Sequence, residues 1–205
     1  MTDELPLRER KKLHTRQRIS DVATRLFFER GFEQVTVAEV AKAAEVSAMT
    51  VFNHFPRKED LFLDRIPEEI ALWTEAVRER APDESPLAAL HRLALRLIDG
   101  NHPLSVVGYA PFWRVVLDSP ALRARAREGS EELEAAVASV IVETDADDTS
   151  PRMTAALAVA AWRGACAASV GRVLGGERVD VVMREHRELV DRAFGALGGV
   201  LPLAR

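Results

Sequence analysis

Residues 36–58 constrain this chain more than any other segment, because they spell two short helices joined by a tight turn. Thr36 is a good N-cap, its hydroxyl able to accept from the orphan amides of a first helical turn. Val37, Val40, Ala41 and Ala44 follow at i, i+3, i+4 and i+7, which is one apolar face of a short helix. Val46 lies in the joint and Ser47 can cap a second helix. In that helix Val51, Phe52 and Phe55 are expected to point one way, leaving Met49, Thr50, Asn53 and His54 toward the other. Pro56 stops it, since proline cannot continue the ladder and restricts the residue before it. An outer face this small and polar suits insertion into a DNA major groove. The same spacing also fits an ordinary helical hairpin whose polar face is solvated.

A helix of two turns cannot hold itself in water and needs packed neighbours. Upstream, Ile19, Val22, Ala23, Leu26 and Phe27 recur at helical spacing and end at Arg30-Gly31, a C-terminal signal. Downstream, a longer helix is expected to begin near Arg57 or Lys58, with Leu61, Phe62 and Ile66 as its apolar positions. Together these helices would enclose a small core of Phe27, Phe32, Val40, Phe52 and Phe55.

The run Thr-Val-x-x-Val-Ala-x-x-Ala-x-Val-Ser-x-x-Thr-Val-Phe-x-His-Phe-Pro-x-Lys-Glu-x-Leu at residues 36–61 resembles the DNA-binding domain of the TetR family of regulators. The preceding Leu26-Phe27-Phe28-Glu29-Arg30-Gly31-Phe32 is similar to the end of that family's first helix. The resemblance covers residues 13–65 and implies an all-α chain. It divides the chain into a helix-turn-helix domain over residues 8–56 and a helical regulatory and dimerisation domain over residues 57–205. It places the second helix of the motif in the major groove with its flanks on phosphates. By motif position Ala48, Met49, Thr50 and Asn53 face base edges, and Ser47 at the cap joins the DNA-contacting set. Asn53 offers the donor and acceptor that suit adenine, whereas Met49 and Ala48 make apolar contacts of the kind thymine methyls accept. Thr36, Thr50, His54 and Lys58 fall to phosphates.

Three positions depart from the family pattern. Glu45 stands where a turn glycine is common, at a site that tends to require positive φ. Phe52 replaces a usual tyrosine, and Ala48 replaces what is frequently a longer polar residue.

The chain's formal charge of -4 taken alone argues against nucleic acid, yet its distribution does not. Residues 8–18 hold Arg8, Arg10, Lys11, Lys12, Arg16 and Arg18 against Glu9 alone, a local +5. Such a basic arm before the first helix can follow phosphates or the minor groove, or simply be a solvated helix start. Residues 66–205 carry 16 basic and 21 acidic groups, as befits a module that does not touch DNA. The single Cys166 excludes an intramolecular disulfide, and a cytoplasmic location follows as the default. No long apolar run reads as a membrane span, and the charged N-terminus lacks a signal-peptide core, so no membrane partner is expected.

Ser85-Pro86, Ser119-Pro120 and Ser150-Pro151 each place a capping hydroxyl before a proline, predicting helix starts near 86, 120 and 151. His102-Pro103 is expected to open another helix, and Gly175-Gly176 to separate the last two, for about nine helices without a separate interdomain linker. The acidic stretch Asp145-Ala146-Asp147-Asp148 lacks EF-hand spacing and its turn glycine, and reads as a solvated loop. No GxSxG elbow, P-loop, HExxH, CxxC or dinucleotide fingerprint is present. The five histidines are scattered without ligand spacing. Neither an enzyme, a metal site nor a cofactor is expected.

Two stripes in the last two expected helices suit association: Ala160, Ala161, Gly164, Ala167, Ala168 and Gly171, then Val179, Met183, Val190, Phe194 and Leu197. They fit intramolecular core as well. The TetR resemblance implies that these helices pair with their symmetry mates in a homodimer. It also implies a small-molecule pocket among the middle helices, for which Trp73, Tyr109, Phe112, Trp113 and Trp162 are candidate walls, with His102, Arg114 or Arg163 as polar anchors. The expected function is a ligand-responsive regulator, a repressor before an activator, binding palindromic double-stranded DNA and released by an unidentified small molecule. The rival reading is a helical protein-interaction module without sequence-specific DNA binding, which leaves the basic arm and the Thr50–Lys58 pattern unexplained.

Overall fold

The structure, a computed structural model, describes residues 6–105, 107–145, 148 and 150–199. Among them the chain forms α1 (Leu7–Arg30), α2 (Val37–Ala43), α3 (Ala48–His54), α4 (Ile66–Arg78), α5 (Pro86–Asp99), α6 (Ala110–Asp118), α7 (Pro120–Thr144), α8 (Pro151–Leu174) and α9 (Val179–Gly198). Short 3-10 turns occupy Glu59–Leu61 and Pro103–Ser105, and no described residue is in a strand. The all-α expectation holds. The chain divides into two compact units, one of residues up to Asp64 together with Arg114–Ala126, the other of Arg65–Trp113 and the residues from Arg127 on.

In the first unit α1 contributes Ile19, Ala23 and Phe27, all fully buried, at spacings of four. Around Phe27 gather Phe32, at 4.9 Å between ring centroids, and Phe62, edge-on at 5.8 Å. Val35, Val40, Val51, Phe55 and Leu61 complete this core. Gly31 ends α1 with φ 85, a conformation that only a residue without Cβ takes freely. The end of α6 and start of α7 also belong here: Ser119 donates to Glu33 at 2.6 Å, and Arg125 pairs with Asp60 at 2.7 Å.

Two expectations for this unit are corrected. Phe52 is not core but 47% exposed, because residues 51 and 55 share the inner face at i, i+4 and residue 52 turns about 100° away from it. The helix expected from Lys58 is interrupted: after Glu59–Leu61 the chain turns, and α4 starts only at Ile66. Pro67 explains the break, since in a continuous helix it would remove a hydrogen bond and clash with the preceding turn, whereas at a first helical turn it is tolerated.

The predicted start at Pro120 is observed in the first unit and those at Pro86 and Pro151 in the second, with Ser85 accepting from the Ala88 amide. His102-Pro103 opens only a 3-10 turn, in which the Ser105 hydroxyl donates back to the Leu97 and His102 carbonyls. The main core of this unit joins Trp73 and Val77 of α4, Leu90 and Leu97 of α5, Val137 and Ile141 of α7, Trp162 of α8, and Val190 and Phe194 of α9. Of the acidic stretch, Ala146 and Asp147 lie outside the described residues, while Asp145 meets Arg80 at 3.4 Å and Asp148 accepts from Thr154. Contrary to expectation, α8 is long and apolar enough to cross a membrane by length and composition, with mean hydropathy 1.3 over its best window. Alanine and valine give it that hydropathy, and one face, carrying Ala158, Trp162, Ala165 and Ser169, is buried in the unit.

The turn between α2 and α3 carries the one strained backbone position of the motif, Glu45 at φ 53. Relief of about 1–2 kcal/mol of left-handed strain is offset in part by the greater chain entropy of glycine, roughly 0.5–1 kcal/mol. Glu45→Gly is therefore expected to stabilise the fold by a net of up to about 1.5 kcal/mol, raising the urea midpoint, and Glu45→Val to lower it. Equal midpoints for all three proteins in urea titrations would remove the strain.

Candidate nucleic-acid interface

Seven residues make α3 too short to persist alone, so its orientation is set by what grips it. Val51 and Phe55 anchor its inner face at 0% and 1% exposure. Ser47 caps the start, accepting from the Thr50 amide at 3.0 Å and sharing a 2.8 Å hydrogen bond with the Thr50 hydroxyl. Arg16 of α1 holds the other end: it donates to the His54 carbonyl at 2.7 Å and to the Asp64 carbonyl at 2.9 Å, with its guanidinium 4.1 Å over the Phe55 ring. Ser20 adds a 2.6 Å bond to the Asp64 carboxylate.

The opposite face of α3 is thereby left to solvent. Ala48, Met49, Phe52 and Asn53 are exposed, Met49 by 68%, while Thr50 and His54 are half-buried. Beside them Arg8, Lys11, Lys12 and Thr15 share one face of α1 at i, i+3, i+4 and i+7. These four residues, Glu9, Thr50 and His54 line a concavity of about 590 Å³. A second one, of about 410 Å³, is lined by Leu7, Arg10, Lys11, His14 and Thr15. The basic residues are thus not an arm before the first helix but its first turns, because no glycine or proline interrupts Leu7–Arg30. Arg16, counted in that arm, is turned inward. Burial, then the nearby Arg16 and Lys12 charges, hold the His54 imidazole below its ordinary range and therefore neutral.

Thr36 begins α2 in a reciprocal capping box: its hydroxyl accepts from the Glu39 amide at 3.2 Å, and the Glu39 carboxylate accepts from the Thr36 amide at 2.8 Å. Arg30 at the end of α1 adds a 2.8 Å bond to Glu39. The Thr36 amide first, then Arg30 and the Thr36 hydroxyl, pull the Glu39 carboxyl down to about 2. Lys58 lies half-buried with its ammonium 4.2 Å from the Phe32 ring centroid.

The residues expected at an effector pocket do not form one wall. Trp73 and Trp162 meet edge-on at 6.1 Å in the main core, Trp113 packs in a smaller cluster with Val170 and Val182, and Tyr109 is 49% exposed. Phe112 meets Trp113 edge-on at 5.1 Å. Of the polar anchors, His102 faces Glu68 at 3.7 Å, and Arg114 and Arg163 are exposed. In the association stripes, Val190 and Phe194 are corrected to the chain's own core, at 0% and 2% exposure. Gly164, Ala168 and Gly171 are on the surface of α8, and Met183 is half-buried. Cys166 is half-buried against both clusters, and the loss of solvent around its thiol pushes it far up.

Sequence reasoning missed Phe52 as a surface residue and Arg8 and Thr15 as neighbours of α3. The 8-11-12-15 spacing carries the signal for the latter pair, once the arm is read as helix.

A two-helix motif held this way, with a small exposed outer face and a basic ridge beside it, fits a DNA-binding regulator. Residues 19–64 match the model of the bacterial regulatory proteins of the tetR family. The chain is 31% identical over 176 residues to the HTH-type transcriptional regulator TcmR of Streptomyces glaucescens, covering 83% of this chain and 76% of that protein. It is 39% identical over 69 residues to the HTH-type transcriptional repressor AcnR of Corynebacterium efficiens, spanning 34% of this chain and 37% of that one. The fold is that of NalD, the secondary repressor of the MexAB-OprM multidrug efflux pump in Pseudomonas aeruginosa, with TM-score 0.55, 20% identity, and 89% and 97% of the two chains covered. The chain belongs to the TetR family of transcription regulators and is not an enzyme.

The capping box gives this interface an acid sensitivity of definite sign. The Glu39 carboxyl is depressed on folding, so its contribution is complete above the ordinary 4.5 and disappears as pH falls toward 2. Thr36→Ala is expected to cost about 1 kcal/mol at neutral pH. Glu39→Gln should flatten the loss of stability between those two pH values, as followed by circular dichroism in urea. An unchanged acid profile in Glu39→Gln would show that the box does not couple to folding.

Proposed function

We propose that this regulator is a repressor that binds a palindromic DNA operator as a homodimer and is released when a small molecule binds its second unit. The observation that carries the reading is the exposed face of α3, Ala48, Met49, Thr50 and Asn53, set beside Arg8, Lys11 and Lys12 in a chain whose formal charge is -4. A net-negative protein that concentrates cations beside one exposed helix face has an electrostatic footprint for a polyanion.

In this reading Asn53 reads a base edge, Ala48 and Met49 touch thymine methyls, and Thr36, Ser47, Thr50, His54 and Lys58 position the phosphates. The basic first turns of α1, Arg10, Lys11 and Lys12 included, follow the backbone. His54, held neutral, serves as a hydrogen-bond donor rather than a charge. One motif reads half of a symmetric site, so two copies must stand ~34–36 Å apart or at a multiple of that. The exposed small-residue face of α8, Gly164, Ala168 and Gly171 with Ala160 and Ala167, supports close helix approach between copies. Half-buried Met183 borders that pairing. An effector releases the operator only through differential affinity for the two spacings.

In-vitro selection from a random DNA pool at fixed salt should return a palindrome. No enrichment would return the chain to the protein-interaction alternative. On the selected site, Asn53→Ala is expected to relax preference at one position per half-site by about 1–3 kcal/mol. Lys11→Ala and Lys58→Ala should weaken binding to all sequences and flatten the slope of log K against log salt by about 1 per protomer. A monomer in sedimentation at micromolar concentration would remove the dimer.

A further inference from the structure

Met49 and Phe52 stand one turn apart on α3 and are 68% and 47% exposed, although both are large and apolar. At about 100° per residue the side chains of α3 follow one another around its girth in a fixed order. Val51 and Phe55 are buried in the first unit, and half-buried Thr50 and His54 border the concavity beside Arg8, Lys11 and Lys12. Met49 and Asn53 come next and are turned outward, while Ala48 and Phe52 form the flank opposite Thr50 and His54. The cations of α1 therefore edge one side of the exposed arc, and the phenyl ring of Phe52 edges the other.

This flank has almost nothing with which to read a hydrogen bond. A phenyl ring carries no hydroxyl for a phosphate or a base, a thioether is a weak acceptor, and Ala48 offers only a methyl. The Thr50 hydroxyl, on the α1 side, is engaged by Ser47 at 2.8 Å. In the major groove the feature open to an apolar side chain is the C5 methyl of a pyrimidine, since the other features of the base edges are donors and acceptors. That methyl occupies the same ring position in thymine and in 5-methylcytosine. Cβ atoms at i and i+3 lie about 5–6 Å apart, against a rise of about 3.4 Å per base pair, so Met49 and Phe52 reach different base pairs. An apolar pair also suits a protein surface, but the cations beside this one favour a polyanion.

We propose that Phe52 is a specificity-determining residue that, together with Met49, reads pyrimidine C5 methyl groups at two nearby positions of each half-site. At those positions the protein prefers thymine to uracil and 5-methylcytosine to cytosine. The assignment rests on the reading of α3 as the major-groove helix and gives that helix its chemical selectivity. Asn53 distinguishes a base by its donors and acceptors. Phe52 distinguishes a substituent and is indifferent to the base that carries it.

The test uses the full chain and the duplex recovered by in-vitro selection, with binding read by fluorescence anisotropy at fixed salt. Each thymine is replaced in both half-sites at once by deoxyuridine, which lacks only the methyl. Burying one methyl is worth about fourfold, so the paired replacement is expected to weaken binding about tenfold or more at the two contacted positions. At those positions a 5-methylcytosine–guanine pair should bind several-fold more tightly than cytosine–guanine. Phe52→Ala, folded by circular dichroism, should lose the deoxyuridine penalty at one position and keep it at the other. Met49→Ala should do the converse, and Phe52→Leu should retain most of the penalty. Thymine and deoxyuridine bound within about twofold at every position overturn the assignment. So do equal binding of methylated and unmethylated cytosine and a penalty unchanged in Phe52→Ala. The wild-type duplex series tests the methyl preference even if a variant does not fold. Failure of any duplex to enrich would sink the major-groove reading and this assignment with it. An enriched palindrome indifferent to its methyls would leave the function standing and remove the methyl reader alone.

Discussion

The surface proposed to read DNA depends on a seven-residue helix that cannot exist by itself, and a single α1 side chain does much to hold it. Arg16 joins the last carbonyl of α3, the Phe55 ring and the Asp64 carbonyl. An arginine can do this because its planar fork donates in two directions while its face stacks on a ring. With Val51 and Phe55 buried and the C-terminal end of α3 tied to α1, the exposed set 48, 49, 52 and 53 follows from helix periodicity. The same bonds place α3 beside the basic turns of α1. Positioning and charge are thus consequences of one packing event within the first unit.

Charge is divided by role along α1. Arg8, Lys11 and Lys12 are exposed and border the concavity beside Thr50 and His54, whereas Arg16 is structural. Arg30, at the far end, belongs to the capping box of α2. In the second unit the acidic excess is met largely by arginine pairs on the surface, such as Arg187–Asp99 at 2.7 Å and Arg172–Glu177 at 2.7 Å. Exposed pairs of this kind contribute little to stability.

Much of this was legible in the sequence wherever the signal is local. Each Ser-Pro pair marks a true helix start, Gly31 and Gly175 follow true helix ends, and the two caps at Thr36 and Ser47 act as their residue types predict. Errors arise where two local signals compete or where distance in sequence is large. Pro67 outweighs the apolar spacing of Leu61, Phe62 and Ile66, so the expected helix from Lys58 becomes a turn. Phe52 is apolar, yet residues 51 and 55 already fill the inner face, and a third side chain cannot share it. The bonds of Ser119 to Glu33 and Arg125 to Asp60 span 86 and 65 residues, and no periodicity encodes them. Val190 and Phe194 lie on an apolar stripe that fits self-association and core alike, and only the packing of α4, α5 and α8 decides for core.

The reading face of α3 is poor in hydrogen-bonding groups, and that has consequences under the proposed function. Ala48, Met49 and Phe52 offer no donor or acceptor from their side chains, and the Thr50 hydroxyl is already engaged by Ser47. Asn53 is left as the side chain with both a donor and an acceptor on the exposed face. Apolar side chains in a major groove distinguish bases through the thymine methyl, while the cations of α1 act on phosphates that are the same in every sequence. Affinity would therefore come mainly from the phosphates and fall steeply with salt. Discrimination would rest on one amide and on methyl contacts, each sensitive to small displacements of α3. A recognition helix of that kind gains most from being held rigidly, which is the role of Arg16, Ser47 and the buried pair Val51 and Phe55.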